Sequence, residues 1–256
     1  MTEILVEVSD RIATVTLDAP ERRNSLSLEM VDELVAAFDD LDARDDVGAV
    51  IVTGAPPAFC AGATLSHLMG EHAALDRRAG LRAIYQGFLR VAASPLPTIA
   101  AVNGAAVGAG MNLALVCDLR LAATTATFDT RFLQLGLHPG GGHTWMLQRA
   151  AGQAAATAAV LFGEVLDGAA AARCGLVWRA VEAGALTDAC RQLAARAASA
   201  PAGLVRRTKQ TLRAVATVAE HAAAVDIELD AQVWSMDQPE FAERLAALQA
   251  KISKRA

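Results

Sequence analysis

The stretch Thr98-Ile99-Ala100-Ala101-Val102-Asn103-Gly104-Ala105-Ala106-Val107-Gly108-Ala109-Gly110-Met111 decides the fold class. Its first five residues run apolar without alternation, the pattern of a strand buried on both faces in a parallel sheet. A glycine-bearing loop then leads to a helix expected from Met111 to Val116. Asp118-Leu119-Arg120-Leu121-Ala122 returns as a strand. Upstream, Ala49 to Thr53 reads as another buried strand ending at Gly54, followed by a second glycine-bearing loop, Phe59-Cys60-Ala61-Gly62-Ala63. The repeated order predicts an α/β fold built from similar units with parallel strands. Loops of this kind aim unpaired backbone N–H groups at one point, and small residues let a ligand approach the backbone. Two such groups together make an oxyanion hole.

Outward from these loops, Ile4 to Val8 and Ile12 to Leu17 flank Ser9-Asp10-Arg11 as an antiparallel hairpin. Leu28 to Ala43 reads as an amphipathic helix with Ser27 as its N-cap. A helix-rich stretch follows the first loop as far as Ala93, where Pro95 and Pro97 stop it. Beyond Gly152 the strand signal fades except at Leu176-Val177-Trp178. From about Ala185 the chain reads as successive helices broken at Pro201 and Pro239.

With 256 residues the chain is long enough to bury a large core. A net charge of −5 argues against a nucleic-acid partner, which would require a basic face. Hydrophobic residues make up 54% of the chain, yet charges interrupt every apolar run before membrane-spanning length, so no membrane partner is expected. The N-terminal MTEILVEVSD, a short alternating strand with acids in it, predicts no secretory segment. The expected location is the cytoplasm. Cys60, Cys117, Cys174 and Cys190 are widely spaced and form no metal-ligand pattern, so no metal is expected and the thiols read as buried and reduced.

Four blocks in order and spacing resemble the crotonase (enoyl-CoA hydratase/isomerase) superfamily: Ala58 to Ala63, Thr98 to Gly110, Leu113 to Arg120, and Leu135-Gly136-Leu137-His138-Pro139-Gly140-Gly141-Gly142. Pro20-Glu21-Arg22-Arg23-Asn24-Ser25-Leu26 is similar to the family's CoA-contacting segment. The resemblance covers essentially the whole chain. It implies a crotonase-like spiral of repeated ββα units over 1–184 and a helical C-terminal trimerisation region over 185–256. The partners it implies are an acyl-CoA thioester and further copies of the chain, as a homotrimer or hexamer. No separate cofactor is expected, because CoA enters with the substrate. By position, the oxyanion donors would be the N–H groups of Ala61 and Ala109. The CoA-contacting residues would be Arg22, Arg23, Ser25, Leu26, Ala61, Ala63 and Leu65.

The departures from the family pattern bear on the chemistry. The two glutamates that share a water in the family's hydratases fall on Asn112 and Phe132, and neither an amide nor a phenyl ring accepts a proton at neutral pH. Substitute acids or bases are sought in Asp129, His138 and His143, while His67 and His72 lie in the segment after the first loop. Two readings stay open. One is an acyl-CoA-processing enzyme, nominally a hydratase of 2-enoyl-CoA, that stabilises a thioester enolate. The other is a non-catalytic acyl-CoA binder or a different crotonase reaction. A dinucleotide-binding oxidoreductase is set aside, since no GxGxxG opens an N-terminal βαβ unit.

Overall fold

The computed structural model describes residues 2–64 and 77–253. Strands β1 (Ile4–Ser9) and β2 (Ile12–Leu17) form the expected hairpin, turning at Asp10 and Arg11, both with positive φ. Helix α1 (Leu28–Ala43) starts at Ser27, whose Oγ accepts the Met30 N–H at 3.0 Å. Its buried residues Met30, Val31, Leu34, Phe38 and Leu41 recur at helical spacing on one face.

Three successive turns of a spiral follow. Strands β3 (Ala49–Gly54) and β4 (Ala58–Cys60) lead through the undescribed residues to α2 (Arg77–Ala93). Strands β5 (Thr98–Val102) and β6 (Ala105–Val107) lead into α3 (Ala109–Val116). Strands β7 (Leu119–Ala123) and β8 (Thr127–Asp129) lead to α4 (His143–Phe162), which is interrupted at Gly152 by φ 79° and ψ 167°. Each turn gives its first strand to one sheet and its second to another. Closing the core are β9 (Leu166–Asp167), α5 (Gly168–Arg173), β10 (Arg179–Val181) and α6 (Leu186–Ala198). The larger sheet has the order β1-β2-β3-β5-β7-β10 and is parallel from β2 onward; the smaller has the order β4-β6-β8-β9. This is the spiral of ββα units that the sequence led us to expect. Its core includes Phe38, Phe59, Phe88 and Phe128, none of them more than 1% exposed.

Two sequence expectations are corrected. Strands β4 and β6, of three residues each, overlap the segments read as glycine-bearing loops, and β8, equally short, carries no strand signal in the sequence. Leu176-Val177-Trp178 is a bend rather than a strand: Leu176 and Val177 are buried, Trp178 N–H bonds Arg120 O at 2.8 Å, and the strand begins at Arg179.

The chain divides into two compact units, 1–198 and 199–256. Helix α6, grouped with the tail in the sequence reading, packs on β3 through a face that buries Leu186, Cys190, Ala194 and Ala198. The second unit holds α7 (Ala202–Val215), α8 (His221–Met236) and α9 (Pro239–Ser253). These three helices bury Lys209 but no hydrophobic side chain, and Leu212, Leu229, Val233, Leu248 and Ile252 are exposed.

Candidate active site

Both glycine-bearing loops end at one cleft of the first unit, and their backbones touch. A Cβ on Gly110 would lie 2.1 Å from the Cys60 carbonyl oxygen, so the start of α3 rests directly on the first loop. Gly108, with φ 51° and ψ −112°, holds a conformation open to glycine alone, and it turns the chain from β6 into α3. Its N–H is bound by Asp129 O at 3.0 Å. Ala109 is then the first residue of the helix, where an N–H has no intrahelical acceptor. It has no partner among the described residues, and Ala109 lines the cleft.

The first loop corrects the assignment of its donor. The Ala61 N–H is engaged by Arg23 O at 2.9 Å and is not free for a ligand. The next alternate residue, Ala63, sits in a parallel bridge with Leu26, in which Leu26 N–H bonds Gly62 O and Thr64 N–H bonds Leu26 O, both at 2.8 Å. That pattern spends the groups on either side of Ala63 and turns its own N–H away from Leu26. Ala63 lines the same cleft as Ala109, and its N–H is unpartnered among the described residues. Residues two apart in a regular strand face the same way, so alternation alone would treat Ala61 and Ala63 alike; the break comes at Gly62, with φ 111°, after which Gly62 O and Thr64 N–H face Leu26 and Ala63 N–H faces away.

The cleft is walled mainly by apolar side chains, including Leu81, Ile84, Leu135 and Leu137. Asn112 and Phe132 both line it. Asn112 is 1% exposed, and both ends of its amide are engaged. Its Nδ2 donates to Gly140 O at 3.0 Å, which fixes the amide so that Oδ1 accepts the Nδ1–H of His143 at 2.7 Å. Burial depresses the His143 pKa to about 4, leaving a neutral ring. Its Nε2 is enclosed without a partner among the described residues. His143 does not line the cleft; its ring meets Phe132 edge to face, with centroids 5.0 Å apart.

Of the other substitutes considered, Asp129 is buried outside the cleft lining, and its carboxylate is bound by Arg131, with Nε at 2.9 Å. That pairing removes it as a base in the cleft. His138 does line the cleft and is exposed; its Nδ1–H donates to Pro139 O at 2.7 Å, leaving Nε2 as the ring's lone-pair nitrogen. Tyr85, which sequence reading did not single out, lines the cleft from α2. Only its position in the fold reveals it.

The segment read as contacting CoA is also partly reassigned. Arg22 is not available to phosphates, because it forks onto Glu3, with Nη1 to Oε1 at 2.7 Å, and donates to Ser27 Oγ and Ser25 O. The hydrogen bond from Arg22 holds the Glu3 carboxyl below its usual range. Arg23 is exposed, Ser25 Oγ meets Thr64 Oγ1 at 3.2 Å, and Leu26 is buried. Leu65, His67 and His72 lie outside the described residues. Sequence reading also passed over Asn24, fully buried, whose Nδ2 donates to Ala55 O and Ala58 O and whose Oδ1 accepts the Ala19 N–H. It ties the N-terminal segment to the first loop. The Cys60 thiol is buried, and desolvation pushes its pKa up to about 12, which suits a packing role and not a nucleophile.

A mixed α/β spiral with two glycine-bearing loops meeting at an apolar cleft defines a crotonase-type protein. The family model described as enoyl-CoA hydratase/isomerase matches residues 7–252, and the chain belongs to that family. A Mycobacterium tuberculosis protein named probable enoyl-CoA hydratase EchA14 is 47% identical over 251 residues, covering 96% of this chain and 97% of the relative. The 1,2-epoxyphenylacetyl-CoA isomerase of Escherichia coli is 34% identical over 256 residues, covering 99% and 97%. Among solved structures, an enoyl-CoA hydratase from Bacillus anthracis superposes with a TM-score of 0.91 at 29% identity, covering 97% of this chain and 96% of that one.

Proposed function

We propose that the cleft binds an acyl-CoA thioester and polarises its carbonyl between the N–H groups of Ala63 and Ala109. The observation that carries this reading is that both N–H groups are unpartnered among the described residues and both belong to one cleft. Each donor aimed at a developing oxyanion is worth about 2.7–4 kcal/mol of transition-state stabilisation. The species such a pair would stabilise is a thioester enolate, formed when a base takes the α-proton or a nucleophile adds at the β-carbon. The names of the relatives, which refer to enoyl-CoA and epoxyphenylacetyl-CoA, support a CoA thioester as ligand. No resident cofactor enters the reading, since CoA arrives with the acyl group.

Hydration of 2-enoyl-CoA by two carboxylates sharing a water is not supported at this site. The Asn112 amide is not basic at neutral pH and is oriented by Gly140 and His143, and Phe132 has no polar atom. A second reading, a different crotonase reaction with a substitute base, rests on His138, whose occupied Nδ1 leaves Nε2 as an acceptor on a cleft residue. The exposed apolar residues on α7 to α9 support a homotrimer or hexamer, and the cytoplasm remains the proposed location.

The test is calorimetry with butyryl-CoA, together with infrared measurement of its thioester carbonyl. Binding with a shift of the carbonyl stretch to lower frequency is expected for the parent and lost in Gly62→Val and Gly108→Val. Equal binding by the parent and both variants would falsify the reading. Crotonyl-CoA hydration is expected to fall well below that of a two-glutamate enzyme, since one positioned acid or base contributes about 10²–10⁴-fold.

A further inference from the structure

Strand β8 leaves the smaller sheet through a turn that wraps around Gly108. Its last residue, Asp129, is the register partner of Val107 in β6, and the Asp129 carbonyl accepts the Gly108 N–H at 3.0 Å. Two further contacts come from the same turn: a Cβ built on Gly108 would stand 3.8 Å from Thr130 O and 3.8 Å from the Phe132 ring. The planar peptide that joins Gly108 to Ala109 carries the Ala109 N–H, so the direction of that N–H follows from how Gly108 is held.

The turn departs from ordinary backbone at Arg131. Its φ is 52°, in the left-handed region that side chains with a Cβ disfavour, and Phe132 returns at once to right-handed φ −59° and ψ −50°. Such a conformation persists only where its surroundings over-determine it. Here an ion pair reaches back two residues: Arg131 Nε donates to Asp129 Oδ2 at 2.9 Å, and Nη2 donates to the same oxygen. The Asp129 side chain is 7% exposed, and Arg131 is the sole partner of its carboxylate among the described residues. Between the two, Thr130 Oγ1 donates to Ala159 O on α4 at 3.0 Å. A buried carboxylate stripped of its cation is strongly unfavourable and is driven toward water, which would pull the Asp129 carbonyl away from Gly108.

We propose that Asp129 and Arg131 are a positioning pair for the thioester site: the ion pair holds the left-handed turn, the turn holds Gly108, and the Ala109 N–H is thereby kept in line with the ligand carbonyl. This rests on the proposed acyl-CoA reading of the cleft and identifies what keeps one of its two donors aimed. Both side chains act through the backbone. The buried carboxylate, excluded as a base in the cleft, has a role that does not require it to enter the cleft.

The experiment follows two signals in the full chain. The first is the infrared carbonyl stretch of butyryl-CoA, recorded with the ligand fully bound, which the parent should shift to lower frequency. In Arg131→Gln, which leaves the carboxylate without its cation, that shift should fall to about half, one donor of two having lost its aim. The dissociation constant should rise about 2- to 12-fold, the range for one neutral hydrogen bond. Arg131→Lys, which keeps a cationic donor for the same oxygen, should keep the parent shift. The second signal needs no ligand: hydrogen exchange of the Gly108 N–H should accelerate by about tenfold in Arg131→Gln, while that of Val102 in β5 keeps its parent rate. The double variant Asp129→Asn with Arg131→Gln carries no buried charge, so it gives the test where the single variant does not fold, and the same reduced shift is expected of it. A pair with a structural role alone would lower the Tm, accelerate exchange at Gly108 and Val102 alike, and leave the carbonyl shift of the bound ligand as in the parent. That result overturns the proposal. A shift reduced equally in Arg131→Lys also overturns it, since the effect would then not follow the ion pair. If the parent binds no butyryl-CoA, or binds it with no carbonyl shift, the thioester reading itself fails and the positioning role fails with it, whatever the exchange at Gly108 shows.

Discussion

The Nδ1–H of His143 donates to Oδ1 of Asn112 at 2.7 Å, in a pair buried beside the cleft. The pair is neutral. Because the Asn112 amide is oriented by Gly140, the histidine is held in one tautomer, with its other nitrogen enclosed. Asn112 is thereby part of the packing around the cleft.

The pair makes stability pH-dependent. His143 has a folded-state pKa of about 4 against 6.5 for the unperturbed side chain. Between those values the unfolded chain binds a proton that the folded chain refuses, so stability is fully present above pH 6.5 and falls as the pH drops toward 4. The linked loss is up to about 3 kcal/mol. Thermal unfolding of the parent and His143→Gln, followed from pH 7 to 4, should show the parent losing more of its Tm than the variant. A constant offset between the two curves would show that His143 does not titrate in this way.

Restoring carboxylates should restore hydration. The double variant Asn112→Glu with Phe132→Glu is expected to raise crotonyl-CoA hydration by at least about 10²-fold over the parent. Asn112→Glu alone should destabilise the fold by about 1–3 kcal/mol, since a carboxylate cannot donate to Gly140 O. A double variant that still binds butyryl-CoA but gains no hydration would show that the two glutamates do not belong at these positions.

Cys60 should resist modification. With its thiol buried and its pKa pushed up to about 12, essentially no thiolate exists at pH 8. Treatment of the native protein with an aromatic disulfide reagent, followed by peptide mapping, should leave Cys60 unlabelled until denaturant is added. Labelling at native rates comparable to a free thiol would contradict the burial described for it.

Gly110→Ala should be more damaging than an added methyl usually is. Its Cβ would meet a backbone carbonyl at 2.1 Å, which no side-chain rotation relieves. A loss of about 2 kcal/mol or more is expected in urea unfolding, within or beyond the ordinary range for overpacking. A near-neutral result would mean that the two loops do not touch.

The larger sheet was legible in the sequence because its buried strands are continuous apolar runs, as at Ala49–Gly54 and Thr98–Val102. The smaller sheet was not. Three-residue strands such as Ala105–Val107 carry no period, and their alanines and glycines resemble loop chemistry. Ala109 and the two glutamate positions came from motif spacing, and the structure puts all three at the cleft. Ala63 was missed as a donor because the choice between it and Ala61 depends on which N–H the Arg23–Leu26 segment engages, a contact between distant parts of the chain. Tyr85 was invisible for the same reason, since nothing in its local sequence marks the turn at Gly140 as its neighbour.

The bridge between Leu26 and Ala63 gives the first hairpin and its exit a role that their distance from the cleft conceals. The amide and carbonyl of Leu26, with the carbonyl of Arg23, act as a template against which the first loop is laid. Proline at Leu26 would leave every cleft-lining residue in the chain and remove the amide that holds Gly62 O, so the geometry of the first loop is encoded partly outside its own motif.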